Sequence, residues 1–192
     1  MIQVDVKQAV DAITKRFPLA TEQQRRIALM RALNHTIAKA RTQSGREIRG
    51  LYKLKVADLA KSLTTGKANQ FSLQAEVRAS TRTMTVSRFV TNMSGLQGRD
   101  PDARVEVEIF KGKQKLLIRG AFLHKKTGLI MARGKYQGST FQQSKKRYPI
   151  NPIKTVSPYG AGVNSVVTKA LSQRVAQDLP NRMTHELARL II

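Results

Sequence analysis

The stretch VEVEIFKGKQKLLIRGAFLHKKTGLIMA, residues 105–132, decides the fold. Its apolar residues first alternate with polar ones, which is the two-residue period of a half-buried strand. Lys111-Gly112-Lys113 and Lys126-Thr127-Gly128 supply the glycines of tight turns. The predicted strands are 105–109, 115–123 and 129–132. Short turns between consecutive strands predict that they pair as an antiparallel meander.

Helical patterns occupy the chain before this meander. One amphipathic stripe is Val6, Val10, Ile13 and Phe17, and a second is Ile27, Met30, Leu33 and Ile37. Thr21 followed by Gln24 forms a capping box, which predicts the start of the second helix. The second pattern continues to Leu51 with a bend expected at Ser44-Gly45. A third, short helix is predicted over 56–63.

The remaining segments on either side of the meander are extended or irregular. Strict alternation over 71–79 predicts a strand, and a further strand is predicted over 83–90. Residues 91–102 are rich in Asn, Gly, Asp and Pro and predict a loop. Residues 133–146 are polar, glycine-rich and basic, and predict a flexible basic loop. Two prolines within 148–153 exclude a helix there and predict extended chain.

A last helical stripe begins near Val163, and Leu179-Pro180 predicts a kink or a break within it. The fold class is therefore α+β, with N-terminal helices, a central antiparallel β-sheet and a C-terminal helical segment. The length of 192 residues fits one compact domain. Its predicted parts are a helical region (1–66), a sheet region that includes the basic loop 133–146 (67–157) and a helical segment (158–192).

The charge of the chain is large and unevenly distributed. Lys and Arg number 35 against 12 Asp and Glu, a formal net charge of +23. Residues 25–67 carry part of the excess, and residues 109–157 hold twelve bases and no acid. A segment without carboxylates cannot neutralise itself locally, so nucleic acid or an acidic protein is the expected neighbour.

We assign polyanion contact to ten basic residues of the acid-free block. They are Lys111, Lys113, Lys115, Arg119, Lys125, Lys126, Lys135, Lys145, Lys146 and Arg147. Strand alternation over 113–123 means that they do not all share one face. Few aromatic residues accompany them, so contact with the nucleic-acid backbone is expected rather than base recognition.

The sequence predicts no catalytic, cofactor-binding or metal-binding residues. There is no cysteine, and His35, His124 and His185 lack partners at metal-ligand spacing. Glu106 and Glu108 lie two apart on a strand and could hold magnesium in a nuclease, but their alternation with valines favours a solvated face. With no such site the chain is not expected to be an enzyme. No signal peptide and no 18-residue apolar window occurs, so it is not expected to be a membrane protein either.

Four segments, in order, resemble one family. They are MRALNHTIAKARTQSGREIRGLYKLKVADLAKSL (30–63), Ile118-Arg119-Gly120-Ala121-Phe122, Lys146-Arg147-Tyr148-Pro149-Ile150, and Leu179-Pro180-Asn181-Arg182-Met183 with Glu186-Leu187. Their order and spacing are similar to those of the minor tail protein Z family of long-tailed bacteriophages and prophages. The resemblance covers nearly the whole chain, and its motifs are structural, so it carries over no catalytic residues.

The resemblance implies a virion protein that is made in the bacterial host cytoplasm and acts late in tail assembly. Its expected place is the head-proximal end of the tail, where the tail is completed for head joining and DNA passage. A homo-oligomeric, hexameric ring is implied, with other tail or neck proteins as partners and non-specific contact with the DNA passing through. The alternative is a basic, non-specific nucleic-acid-binding protein, which shares the charge but does not predict the four ordered segments.

Overall fold

A computed structural model of the protein describes residues 7–92, 104–138 and 140–191. The helices are α1 (Lys7–Arg16), α2 (Glu22–Leu51), α3 (Val56–Ala60), α4 (Pro158–Gly162) and α5 (Ser165–Ile191). The strands are β1 (Leu63–Gly66), β2 (Glu76–Ala79), β3 (Val90–Asn92), β4 (Arg104–Val107), β5 (Leu116–Arg119), β6 (Ala121–His124), β7 (Leu129–Gln137), β8 (Thr140–Gln143) and β9 (Ile150–Pro152). Val6 and most of the predicted 91–102 loop lie outside the described residues.

Helices at both ends and antiparallel strands in the middle confirm the α+β class. The chain forms two compact units. The helical unit comprises Met1–Ile48, Leu59–Ser80 and Tyr159–Ile192, and the sheet unit comprises Arg49–Asp58 and Thr81–Pro158. In the part of the chain that the structure describes, no helix has both the length and the apolar character to cross a membrane.

The helical unit is built around α2, which begins where the sequence predicts. Thr21 Oγ1 accepts from the Gln24 N–H at 3.2 Å, and Gln24 Oε1 accepts from the Thr21 N–H at 2.8 Å. These two bonds are the capping box. The helix then runs without interruption to Leu51. The hydroxyl of buried Ser44 is satisfied within it, since it donates to the Ala40 carbonyl at 2.9 Å.

Helix α5 passes through Pro180 without a break, so the predicted break is wrong. Leu179, Met183 and Leu187 are each at most 1% exposed and pack with Ile13 and α2 alanines in one core cluster. A proline inside a helix costs about 3 kcal/mol, and burial of three large side chains contributes roughly 1.5–3 kcal/mol each. The apolar packing therefore outweighs the lost backbone hydrogen bond.

A polar cluster lies between α2 and α5. Glu186 is 2% exposed and pairs with Arg182 at 2.5 Å and Arg31 at 3.7 Å. The imidazole of His35 is half-buried and is subject to the charges of Arg182 and Glu186. Burial, and then the charges of Arg182 and Lys39, lower the pKa of His35. The pair with Arg31 ties α5 to α2, and loss of either partner would leave a polar group unpaired between the two helices.

Two predictions between residues 56 and 80 are wrong in their bounds. The short helix ends at Ala60, and Leu63 already begins β1, which pairs antiparallel with β2. Of the predicted strand 71–79 only Glu76–Ala79 is strand, and the residues before Glu76 follow an irregular path. Phe71, expected on the buried face, is 92% exposed.

In the sheet unit, β3, β4 and β5 form an antiparallel sheet in that order. Buried Val105 pairs with Ile118, and buried Val107 pairs with Leu116. The predicted strand 83–90 is instead largely a 3-10 helix, Val86–Phe89, followed by β3. Its Phe89 is fully buried.

The second sheet of this unit is centred on β7, with which β6, β8 and β9 all pair. The predicted return strand 115–123 is divided into β5 and β6 at Gly120, whose φ of +65° is a turn conformation that glycine favours. The predicted flexible loop 133–146 is wrong in its larger part, since β7 extends to Gln137 and β8 follows. The extended conformation predicted near Ile150 is confirmed as β9.

Candidate functional site

All ten basic residues assigned to polyanion contact belong to the sheet unit. Lys111, Lys113 and Lys115 precede β5, Arg119 ends β5, Lys125 and Lys126 form the β6–β7 turn, Lys135 lies on β7, and Lys145, Lys146 and Arg147 lie between β8 and β9. Nine of these side chains are exposed; for Arg119 only the backbone is described. Most of the positive charge therefore sits on turns and loops at the ends of strands.

Strand β7 carries two of the bases on one face. Ile130, Ala132 and Gly134 are buried, whereas Arg133 and Lys135 are exposed at the alternate positions. Because successive side chains of a strand point to opposite faces, Arg133 and Lys135 share the outer face. Arg133 was missing from the predicted set, although its alternation with apolar neighbours and its place in the acid-free block could have identified it.

The Lys145–Arg147 cluster is brought over the same strand. The carbonyl of Arg133 accepts from the Ser144 N–H at 3.0 Å, and the N–H of Gly134 donates to the Pro149 carbonyl at 2.9 Å. The C=O and N–H of one trans peptide point in opposite directions, so Ser144 and Pro149 lie on opposite edges of β7. Residues 145–148 therefore cross β7 at the level of Arg133, which joins four bases in one region.

The carboxylates of the sheet unit are already engaged. Asp58 pairs with Arg88 at 3.2 Å, Glu106 with Lys115 at 3.3 Å, and Glu108 with Lys53. Among the described residues these are all the acids of the unit. Lys115 is consequently a weaker candidate for polyanion contact than the other nine, since a side chain of its own unit partly neutralises it. No acid of the described part of the unit remains for the Lys145–Arg147 cluster.

The two glutamates considered for a nuclease site have structural partners. Glu108 accepts from the Gly112 N–H at 2.8 Å and from Lys53, and so closes the turn that precedes β5. The hydrogen bond from Lys53, then that from Gly112, lowers the pKa of Glu108. Within the described ranges no three His, Asp or Glu side chains gather as metal ligands would.

Two arginines of the other charged block, residues 25–67, serve the fold of the helical unit. Arg26 Nε donates to the Gln70 carbonyl at 2.8 Å, and Arg41 donates to the carbonyls of Leu63 (2.7 Å) and Ala60 (2.8 Å). These guanidinium groups satisfy loop and helix-end carbonyls, which the sequence could not reveal because the partners lie 19 to 44 residues away.

The aromatic residues near the bases mostly have structural roles. Tyr136 packs edge-on against Phe141 with ring centroids 5.1 Å apart, and its hydroxyl donates to the Pro152 carbonyl at 3.1 Å. Tyr148 differs, since it is 64% exposed with the Arg147 guanidinium 5.5 Å from its ring centroid. One exposed aromatic beside a basic cluster is not a stacking platform, so the surface is built for charge rather than for reading bases.

The three histidines do not form a site. His124 Nδ1 lies 2.9 Å from Thr127 Oγ1 within the β6–β7 turn, His185 is exposed on α5, and His35 belongs to the buried cluster of the helical unit. What the geometry supports is a basic surface centred on Arg133, Lys135 and the Lys145–Arg147 cluster, which we call the β7 basic surface. Lys125 and Lys126 lie further along the same sheet, at the start of β7.

A family model described as Prophage minor tail protein Z (GPZ) matches residues 7–191. No curated protein and no solved structure gives a significant match.

Proposed function

Because the chain belongs to the prophage minor tail protein Z family, a family of structural phage tail proteins, we propose that it completes the head-proximal end of the tail. In that place it is a subunit of a homo-oligomeric ring through which DNA passes when the head is joined. The observation that carries the proposal is the match over residues 7–191, which includes both helical ends and the whole sheet unit. The role is architectural and uses no catalysis.

The β7 basic surface supports a position on the DNA path. A channel wall must tolerate a moving polyanion without holding one sequence, and lysines and arginines without base-reading partners do this. The cluster Lys145–Arg147 and its neighbour Arg133 have no carboxylate of the described sheet unit to neutralise them. Phosphates of the passing DNA are therefore their proposed partners.

An exposed aromatic on a fixed loop supports contact between subunits. Phe71 is 92% exposed, yet its loop is held by side chains. Asn34 exchanges two hydrogen bonds with Ala68 (2.8 and 3.0 Å), and Asn69 Oδ1 accepts from the N–H groups of Phe71 (2.9 Å) and Ser72 (2.7 Å). Rigid presentation of an aromatic lowers the entropy cost of binding, which is how interface anchors work.

Ring formation can be tested on the purified protein by native mass spectrometry. A closed ring needs two different, complementary patches on each subunit, so Phe71→Ala is expected to shift the population from rings to monomers. Leu19→Ala is the matched control, because Leu19 is also highly exposed (84%) in the same unit. A ring population unchanged in Phe71→Ala, or a protein that is monomeric at all concentrations, would contradict this part of the proposal.

The position in the particle can be tested by electron microscopy of purified virions labelled with a gold-conjugated antibody against the protein. The proposal predicts label at the junction of head and tail. Label spread along the tube or confined to the distal tip would refute the head-proximal assignment while leaving membership of the tail intact.

A further inference from the structure

We propose that the groove between β5 and β8 is a strand-binding site that receives an extended, acidic segment of a neighbouring virion protein. The groove is open, has a volume of about 670 Å³, and is lined by Leu117 and Ile118 of β5, by Phe141 and Gln143 of β8, and by Ile153. The inference uses the proposed place in the particle only for the source of the segment. It needs neither DNA contact nor a closed ring.

The register of the sheet shows why the groove exists. In the β6–β7 hairpin Ala121 pairs with Ala132, so a continued hairpin would set residues 116–119 opposite 137–134 of β7. Those positions of β7 pair instead with β8. The hydrogen bonds of the Arg133–Gly134 peptide to Ser144 and Pro149 place β8 and β9 on opposite edges of β7. Strand β6 also pairs on the edge opposite β9, so β6 and β8 share one edge of β7. Strand β8 has therefore taken the position that β5 would otherwise occupy.

Displacement from β7 leaves β5 with an edge that no second described strand pairs with. Among the described strands β5 pairs only with β4, and β8 pairs only with β7. Half of the backbone N–H and C=O groups of an edge strand point away from its one partner. The four residues of β5 span about 13 Å, at about 3.3 Å per residue. An inserted segment of four or five residues would satisfy these groups.

Apolar residues occupy the first three of the four positions of this edge strand, and only Arg119 at its end is charged. Leu116 is 52% exposed and Leu117 is 45% exposed, and Ile118 follows them. Free edges are normally protected by a charge, a proline or a bulge within the strand, but the first three residues of β5 are apolar. An exposed apolar edge beside an apolar groove is what strand addition requires, since main-chain bonds supply affinity and the groove accepts alternate side chains.

Charge indicates the chemistry of the segment. Lys145 lies two residues after Gln143, and Lys154 follows Ile153, whereas Lys115, two residues before Leu117, is already paired with Glu106 at 3.3 Å. None of the five lining residues is acidic. Residues 109–157, which contain both strands, hold twelve bases and no acid, so the corresponding region of a second copy would be repelled. The complementary occupant is a segment in which acidic residues alternate with apolar ones.

The test uses the full-length protein and a fluorescein-labelled decapeptide of alternating glutamate and valine, with the lysine–valine decapeptide as control. We expect the acidic peptide alone to bind in fluorescence anisotropy, and to slow amide hydrogen exchange in 116–119 and 140–143. Leu117→Asp is expected to weaken binding at least about tenfold, since it sets a like charge in the groove. Leu19→Asp, an exposed site in the helical unit, serves as the matched control.

A second pair of variants keeps the test informative if Leu117→Asp fails to fold. Gln143 is exposed, so Gln143→Lys and Gln143→Glu leave the core unchanged. We expect roughly threefold tighter and threefold weaker binding respectively, the size of one exposed charge interaction. Equal binding of both peptides, absence of protection in β5 and β8, or protection of the same amides by self-association without peptide would overturn the proposal. The last result would assign the groove to a second copy.

Discussion

Neutralising Lys145, Lys146 and Arg147 together tests whether the β7 basic surface binds DNA through phosphates. The three side chains are exposed, and the segment that carries them crosses β7 beside Arg133. The carboxylates of the described sheet unit pair with other bases. Each phosphate contact contributes about 0.9 to the slope of log affinity against log salt concentration. Replacing all three by glutamine is therefore expected to lower the slope by up to about 2.7.

The assay is a salt titration of the binding of a 30-base-pair duplex, followed by fluorescence anisotropy. Between 50 and 200 mM salt, a slope smaller by 2.7 means that the wild type loses about 40-fold more affinity than the variant does. The matched control removes three exposed lysines of the helical unit, Lys61→Gln, Lys67→Gln and Lys169→Gln, and changes net charge equally. Equal slopes for the two triple variants would refute a localised DNA contact, because net charge alone would then explain binding.

Three further predictions concern residues that stabilise the helical unit or the sheet unit from within. Glu186→Ala removes the buried carboxylate but leaves Arg182 and Arg31 partly exposed to water. It is expected to lower the free energy of unfolding by about 2 kcal/mol in urea titration, and no change would mean that the ion pairs contribute nothing. Gly134→Ala would set a Cβ 2.1 Å from a backbone oxygen at a φ of +151°, and is expected to destabilise the β7–β8 hairpin by at least about 2 kcal/mol. Gly45→Ala, in α2, would give its Cβ only an ordinary contact at 3.9 Å, and is expected to stabilise the protein by up to about 1 kcal/mol. Thermal melts that rank the two variants in the opposite order would contradict these expectations. The hydrogen bond from Lys53 lowers the pKa of Glu108 below 4.5. The stability that this bond contributes is therefore complete above pH 4.5 and is lost as the pH falls through the pKa of Glu108 in the folded protein. The difference in stability between wild type and Glu108→Gln should therefore shrink on acidification, and a difference that grows would exclude the interaction.

The elements that sequence reasoning predicted correctly are those whose signals are local. Thr21 and Gln24 begin α2, and the valines of β4 alternate with polar residues because one face of that strand is buried. The turns at Gly112 and Gly128 follow from the ability of glycine to adopt a positive φ. Each of these features is determined by residues within a few positions of one another.

The errors arise where distant partners decide the conformation. Phe71 sits in an alternating pattern, but its loop is fixed by Asn34 and Arg26, which lie some 35 to 45 residues away in sequence. Pro180 stays helical because its neighbours are buried against α2. The candidate site follows the same rule: the basic block was visible in the sequence, whereas the crossing of β7 by residues 145–148 depends on hydrogen bonds to both edges of that strand.

We propose that this protein is a structural tail component present in few copies at one end of the phage tail. Quantitative mass spectrometry of density-purified particles, referenced to the major tail-tube protein, tests it most directly. We expect a small and constant ratio that corresponds to one ring per particle. Absence of the chain from intact particles, or a ratio equal to that of the tube protein, would contradict it.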